Sequence, residues 1–302
     1  MGHNNHDRHH DHHLHEITSL NKAFLIGITL NLVFVVAEFL AGFWFDSLGL
    51  LSDAGHNLGD VASLVLAMLA FRLAKVHPTS SYTYGYKKST VLVSLLNAVI
   101  LLVAVGIIIS ESIGKLFSPQ PVEGDAIAWV AGIGVVINGI TAWLFMKDKD
   151  KDLNVKGAYL HMAADALVSV GVVISGLVIA RTGWYVIDPI IGLLIAFIII
   201  YSTWGLLRDS LRLSLDGVPA GMNINEVETV ISSVEGVEDV HHLHIWAIST
   251  TETALTAHVL ITNPLRMEPI KREIKQKLSV AGIRHVTLEF ETSGSCCGGS
   301  CC

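Results

Sequence analysis

The sequence predicts an α-helical membrane protein with six transmembrane helices, followed by a small α+β domain, and three observations carry that prediction. The 302 residues are 51% hydrophobic and 16% charged, with a mean hydropathy of +0.54, too apolar for a soluble chain of this length. Between Lys22 and Arg208, six stretches are each long enough to cross a bilayer as a helix, which takes about 20 apolar residues. After Asp216 the composition becomes that of a soluble domain, with helical and alternating periods in turn.

Residues 1–16 hold seven histidines (His3, His6, His9, His10, His12, His13 and His15) among aspartates and asparagines. Asp7, Arg8 and Asp11 break the run, unlike an expression tag. With almost nothing to bury, this segment is expected to be a metal-collecting cytoplasmic tail, disordered when empty. The membrane domain then occupies residues 17–208, with spans near 22–44, 48–74, 90–113, 125–147, 156–180 and 184–207. The second and fifth are the least apolar, because Asp53, His56 and Asp60 interrupt one and His161 and Asp165 the other. Lys and Arg in short loops set the orientation. Arg72, Lys75, Lys87 and Lys88 lie between spans two and three; Lys147, Lys149, Lys151 and Lys156 lie between four and five; Arg208 and Arg212 follow six. The opposite side offers only Lys115 and Arg181, so both termini are expected in the cytoplasm.

Residues 209–292 form the second domain. NINEVETVISSVEGV has a helical period, HHLHIWAIS and ALTAHVLIT alternate as strands around a TTET turn, MEPIKREIKQKLSVAG is an amphipathic helix, and HVTLEFE alternates again. An α-β-β-α-β order implies a three-stranded sheet covered by two helices. Residues 293–302 are a Cys-rich tail. Cys296, Cys297, Cys301 and Cys302 are too close to the end to staple a core and read as thiols for soft metals in a reducing compartment. No basic-then-apolar signal sequence opens the chain, and no basic stripe interleaved with aromatics points to nucleic acid.

The chemistry lies in two repeated pentads, HNLGD from His56 and HMAAD from His161. Each puts a histidine one helical turn before an aspartate, on one face. Two such faces opposed across a helix interface supply two imidazoles and two carboxylates, a four-coordinate set suited to zinc. Ionisable groups inside a bilayer are costly without partners, and the same pair in two spans makes packing a weak explanation. Histidine and aspartate must both lose protons to bind metal, so protons compete for the site. A mid-bilayer site exposed to each side in turn would therefore exchange metal for protons. Hydrolysis would need HExxH, but Asn57 follows the first histidine here. Asn31, Glu38, Asn97 and Asn138 are further intramembrane polar residues; Glu38 and Asp53 fit either a cavity lining or interhelical hydrogen bonding, and Asp188 fits a helix cap.

These residues, with SLGLLSDAGHNLGD, FRLAKVHP, YTYGYKK, LNVKGAYLHMAADALVSVGVVISG, GWYVIDPIIGLLIA, LDGVP, HHLHIWAIS and RHVTLEFE, resemble the cation diffusion facilitator family across residues 20–291. The likeness is to its bacterial zinc/cobalt/cadmium-resistance branch and to animal zinc transporters. The resemblance implies a homodimer in a bacterial inner membrane, with a ferredoxin-like, metallochaperone-like cytoplasmic domain and metal–proton antiport out of the cytoplasm. It assigns His56, Asp60, His161 and Asp165 to transport, and histidine at the first position implies zinc, with cobalt and cadmium as secondary cargo. It implies further metal at His241, His258 and Glu289, with His244, His285 and Glu291 close by. Strand alternation would put His242 and His244 on one face and His241 on the other. The resemblance also implies that His9, His10, His12, His13 and the four tail cysteines hold extra metal, although CCGGSCC equally fits an engineered arsenical-binding tag. His77 lies where some relatives bind a peripheral metal, without evident partners. The expected protein is a proton-coupled zinc antiporter and not an enzyme; a membrane metal sensor or scaffold and a passive channel are the alternatives.

Overall fold

The computed structural model describes the backbone of residues 8–44, 48–117 and 124–292; the side chains of residues 8–21, 48–53, 124–130 and several single positions, including His56 and Asp188, lie outside that description. The described chain divides into two compact units, one running to Leu73 and resuming over Val93–Leu207, the other comprising Ala74–Leu92 and the residues from Arg208 onward.

Six helices carry the first unit: α1 Arg8–Trp44, α2 Leu48–Leu73, α3 Ser89–Phe117, α4 Gly124–Met146, α5 Leu153–Thr182 and α6 Ile187–Ser214. Their ends follow local chemistry. Asp152 caps α5, its Oδ1 accepting from the backbone N–H of Asn154 (2.6 Å) and Val155 (3.4 Å), so the helix starts three residues before the apolar run at 156. Gly183 ends it in the left-handed region at φ 70°, donating to Ile179 O. At its N-terminus α1 reaches back to Arg8, so the backbone through His9, His10, His12 and His13 is helical rather than disordered as expected. Residues added to the end of an existing helix avoid the nucleation step that keeps short isolated helices unfolded.

Helix α3 shows what surrounds this unit. Leu92, Leu96, Val99, Val103 and Ile107 form an exposed apolar stripe, while Val91, Ala98, Leu101 and Val105 are buried. Water does not tolerate a stripe that long, whereas a lipid bilayer does. The polar groups point the other way: Asn31, Glu38, Asn57, Asp60, Asn97, Asn138 and His161 are all buried. Among the described residues, Lys22–Ala41, Ser89–Phe117, Leu153–Ile179 and Pro189–Ser214 are long and apolar enough to cross a membrane, and Ala131–Met146 is a shorter apolar helix. The sequence predicts six spans; in α2, whose side chains 48–53 and 56 lie outside the description, Asn57, Asp60 and Ser63 are buried polar positions. Helix α5 contributes to both apolar cores of the unit. Val155, Ala158 and Met162 pack with Phe24, Leu64 and Phe145, and Ala164 packs with Leu101, Val105, Ile195 and Ile199. A helix packed on two sides places its polar residues accurately.

The second unit has the expected order: α7 Ile224–Ser232, β1 Val237–Ala247, β2 Thr253–Ile261, a 3₁₀ turn Pro264–Arg266, α8 Met267–Val280 and β3 Ile283–Glu291. The sheet order is β1-β2-β3, antiparallel between β1 and β2 and parallel between β2 and β3. Val227 and Ile231 of α7 and Ile270, Ile274 and Leu278 of α8 pack on Leu255, Ala257, Val259 and Ile261, covering one face of the sheet. The segment 74–92 joins this unit through two lysines. Lys87 Nζ lies 2.5 Å from Glu252 Oε2; Lys88 Nζ lies 2.5 Å from Asp216 Oδ1 and donates to Leu213 O (2.9 Å) and Ala247 O (3.1 Å).

Candidate metal centre

Helices α2 and α5 bring Asp60, His161 and Asp165 together in the first unit, with one ligand atom of each lying within 4.8 Å of the others. Asp60 is 2% and His161 4% exposed. His161 Nε2 lies 2.6 Å from Asp60 Oδ1, so the imidazole N–H donates across the helix interface. Asp60 Oδ2 is buried and has no hydrogen-bond partner among the described residues. His56 belongs to the same helix, one turn before Asp60, and its side chain lies outside the described residues, as does that of Asp53.

The electrostatics of this trio favour a cation. Two ionised carboxylates with oxygens no more than 4.8 Å apart repel by at least about 3 kcal/mol at an effective dielectric of about 20. A proton on one of them, or a divalent ion between them, removes that repulsion. Oxygen and imidazole nitrogen donors at this spacing match a borderline divalent metal, and Asp60 Oδ2 supplies a lone pair with no competing donor among the described residues. The residues present therefore fit a metal ion, which protons would displace from the same atoms.

Hydrogen bonds invisible in the sequence tie α1 to the helices that carry the trio. Asn31 Nδ2 on α1 donates to Gly27 O (2.9 Å) and approaches Thr141 Oγ1 of α4 (3.3 Å) and Met162 Sδ of α5 (3.7 Å). Glu38 Oε2, also on α1, accepts from Asn57 Nδ2 of α2 at 2.7 Å. Glu38 is thus an interhelical hydrogen-bonding residue. Only the polarity of Asn31, Glu38 and Asn57 within apolar runs signalled them.

A second cluster lies on the open face of the sheet, where His241, His258 and Glu291 bring ligand atoms within 4.8 Å of one another. His258 Nδ1 is 2.7 Å from Glu291 Oε1 and its Nε2 is 3.4 Å from Glu289 Oε2; His241 Nε2 is 3.4 Å from Glu291 Oε2 and its Nδ1 is 3.0 Å from Asp239 Oδ2. Cross-strand register explains the meeting, since His241 pairs with His258 and His258 with Glu289. Simple alternation fails at this point of β1. A register shift between His241 and His244 marks a β-bulge, and His242 takes φ 49°. The extra residue resets the period, bringing the His242 ring within 5.0 Å of His258 and 5.3 Å of His241, between centroids. His242 and Asp239 thus join a neighbourhood that the sequence did not assign to them. His244 instead sits opposite Thr256, lining a cavity of about 350 Å³ with Trp246 and Asp216. His285 lies by Tyr84, its Nε2 3.3 Å from the phenol oxygen with the rings edge-to-face, and neither it nor His244 is in the cluster. His77 is exposed in the segment 74–92 and in neither cluster. The side chains of His9, His10, His12 and His13, and all of Cys296, Cys297, Cys301 and Cys302, lie outside the described residues.

Comparison with known proteins adds a consistent picture. Residues 24–213 match the cation efflux transmembrane domain, and residues 219–292 match the cation efflux protein cytoplasmic domain. The chain is 33% identical over 297 residues to a cadmium, cobalt and zinc/H(+)-K(+) antiporter of Bacillus subtilis, covering 97% of this chain and 92% of that protein. It is 35% identical over 261 residues to the zinc transporter ZitB of Escherichia coli, covering 85% and 83%. It is 36% identical over 272 residues to the metal cation efflux protein CzcD of Cupriavidus metallidurans, covering 89% and 86%. A solved metal-bound C-terminal domain of the CzcD transporter is 38% identical to it, covering 23% of this chain and 99% of that one, with a TM-score of 0.22.

Proposed function

Because this chain belongs to the cation efflux (cation diffusion facilitator) family of integral membrane transporters, which are not enzymes, we propose that it is a homodimeric antiporter exporting divalent metal, mainly zinc, in exchange for protons. Cobalt and cadmium are secondary cargo. The observation that carries the reading is the meeting of buried Asp60 and His161 with half-buried Asp165; His56, one turn before Asp60 in the sequence of α2, is the proposed fourth ligand. Each ligand is a base that protons can take, so loading and release are linked to pH on the two sides of the membrane.

The membrane domain crosses six times, α2 and α4 included, with both termini on the cytoplasmic side of a bacterial inner membrane. The cytoplasmic domain has a ferredoxin-like fold, pairs with its copy in the dimer, and holds further metal at His241, His258, Glu289 and Glu291. In the inward-facing state the trio and His56 bind zinc drawn from the cytoplasm. In the outward-facing state protons reach the carboxylates and imidazoles, and the ion leaves. The test uses purified full-length protein in liposomes that hold a zinc dye and a pH dye, under an imposed proton gradient. Zinc entering as protons leave, and lost in Asp165→Ala, is the expected result. Zinc binding without flux would replace antiport with sensing, and flux indifferent to the gradient would replace it with a channel.

A further inference from the structure

Helix α1 supplies no member of the proposed quartet, yet it grips both helices that do. Glu38, 2% exposed, accepts from Asn57, 5% exposed, and Asn57 directly follows His56 on α2. Asn31, seven residues earlier and therefore on the same face of α1, reaches Met162, which directly follows His161 on α5. Each contact thus falls on the neighbour of a histidine of the proposed quartet. A carboxylate buried within a lipid-facing bundle is expensive to keep, and this one is bonded where helix rotation matters most.

We propose that Glu38 is a positioning residue for the metal site. Through Asn57 it sets the rotation of α2, and so the places of His56 and Asp60 relative to His161 and Asp165. Helical geometry shows why a single bond matters. A ligand atom lies about 6 Å from its helix axis, so a rotation of about 10° moves it by about 1 Å. Metal–ligand distances are held to about 0.2 Å, which corresponds to a rotation of only about 2°. Asn31 references α4 and α5 to α1, and Glu38 references α2 to the same helix. Helix α1 therefore acts as a spacer that fixes the separation of the two ligand faces, and with it the size of ion they accept.

This inference rests on the transport reading above, and the experiment separates the two. Full-length Glu38→Ala, Glu38→Gln, Asn57→Ala and the Glu38→Ala/Asn57→Ala double variant are reconstituted beside Asp60→Ala, and zinc and cadmium fluxes are measured across substrate concentration. Glu38→Ala and Asn57→Ala are each expected to raise the KM for zinc about tenfold and to shift the zinc-to-cadmium ratio toward the larger ion. The double variant should be no worse than either single one. Glu38→Gln, whose amide oxygen still accepts from Asn57, should stay within about twofold of the parent. Glu38→Gln as impaired as Glu38→Ala, with additive losses in the double variant, would overturn the positioning role in favour of direct ion or proton handling. An unchanged KM and selectivity in Glu38→Ala, with Asp60→Ala inactive, would overturn it while leaving the quartet standing. Normal transport by Asp60→Ala would remove both.

Discussion

Replacing Asp60 by Asn takes one charge and one oxygen ligand from a site that is already minimal. Asp60 is 2% exposed, its Oδ1 is 2.6 Å from His161 Nε2, and Asp165 offers a ligand atom within 4.8 Å. Removing one partner from a buried charged set costs about 3–5 kcal/mol. At about 1.4 kcal/mol per decade, that weakens zinc binding at least about 100-fold. Thermal unfolding in detergent reads this directly. At zinc equal to about 100 times the parent Kd, binding stabilises the folded state by about 2.7 kcal/mol; after a 100-fold loss the gain falls to about 0.4 kcal/mol. With roughly 2–4 °C per kcal/mol for a domain of this size, the zinc-induced rise in Tm drops from about 5–11 °C to about 1–2 °C. The comparison is made in a His241→Ala/His258→Ala background, so that zinc on the sheet cluster does not mask the change. Zinc ligands that bind the ion equally in the folded and unfolded chain add little to the difference. A full zinc-induced shift in Asp60→Asn, together with undiminished flux, would refute a metal site between α2 and α5.

Three further outcomes follow from other parts of the structure. Zinc affinity should fall as pH drops from neutrality, because protons occupy the same imidazoles and carboxylates; calorimetry in buffers of different ionisation enthalpy should show proton release on binding, and a pH-independent Kd would contradict the competition. Lys88→Met removes the contacts to Asp216, Leu213 O and Ala247 O, and should destabilise the seating of segment 74–92 by about 1–3 kcal/mol. Amide exchange there should quicken by one to two orders of magnitude, and unchanged protection would show that the lysine is not what holds the segment. Gly236 has φ 98°, and a Cβ there would lie 2.9 Å from Ile270 Cδ1, so Gly236→Val should lower the stability of the second unit in urea by about 1–3 kcal/mol.

Much of this was legible in one dimension, for reasons that differ from part to part. The helices α3, α5 and α6 announced themselves because lipid demands long apolar runs, and the strands β1, β2 and β3 because a half-covered sheet demands alternation. Helix ends were less legible, since Asp152 and Gly183 start and stop α5 by local hydrogen bonds rather than by hydropathy. Alternation also misplaced the histidines of β1, because one inserted residue at the bulge flips every side chain beyond it. His285 illustrates another limit: its strand position put it near the cluster, whereas its contact is with Tyr84, about 200 residues away in the chain.

By itself, the sequence determined that helices α2 and α5 each carry a His-x-x-x-Asp pair on one face, because helical spacing is a property of the single chain. It also determined the change from lipid-facing to water-facing chemistry after residue 216, which composition alone records. Only the tertiary structure decided that Asp60, His161 and Asp165 meet within 4.8 Å, and that α1, with no member of the quartet, ties α2 through Glu38 and α5 through Asn31. The physical reason is that a metal site depends on distances between helices. Those distances are set by packing and a few buried hydrogen bonds whose partners no local pattern specifies.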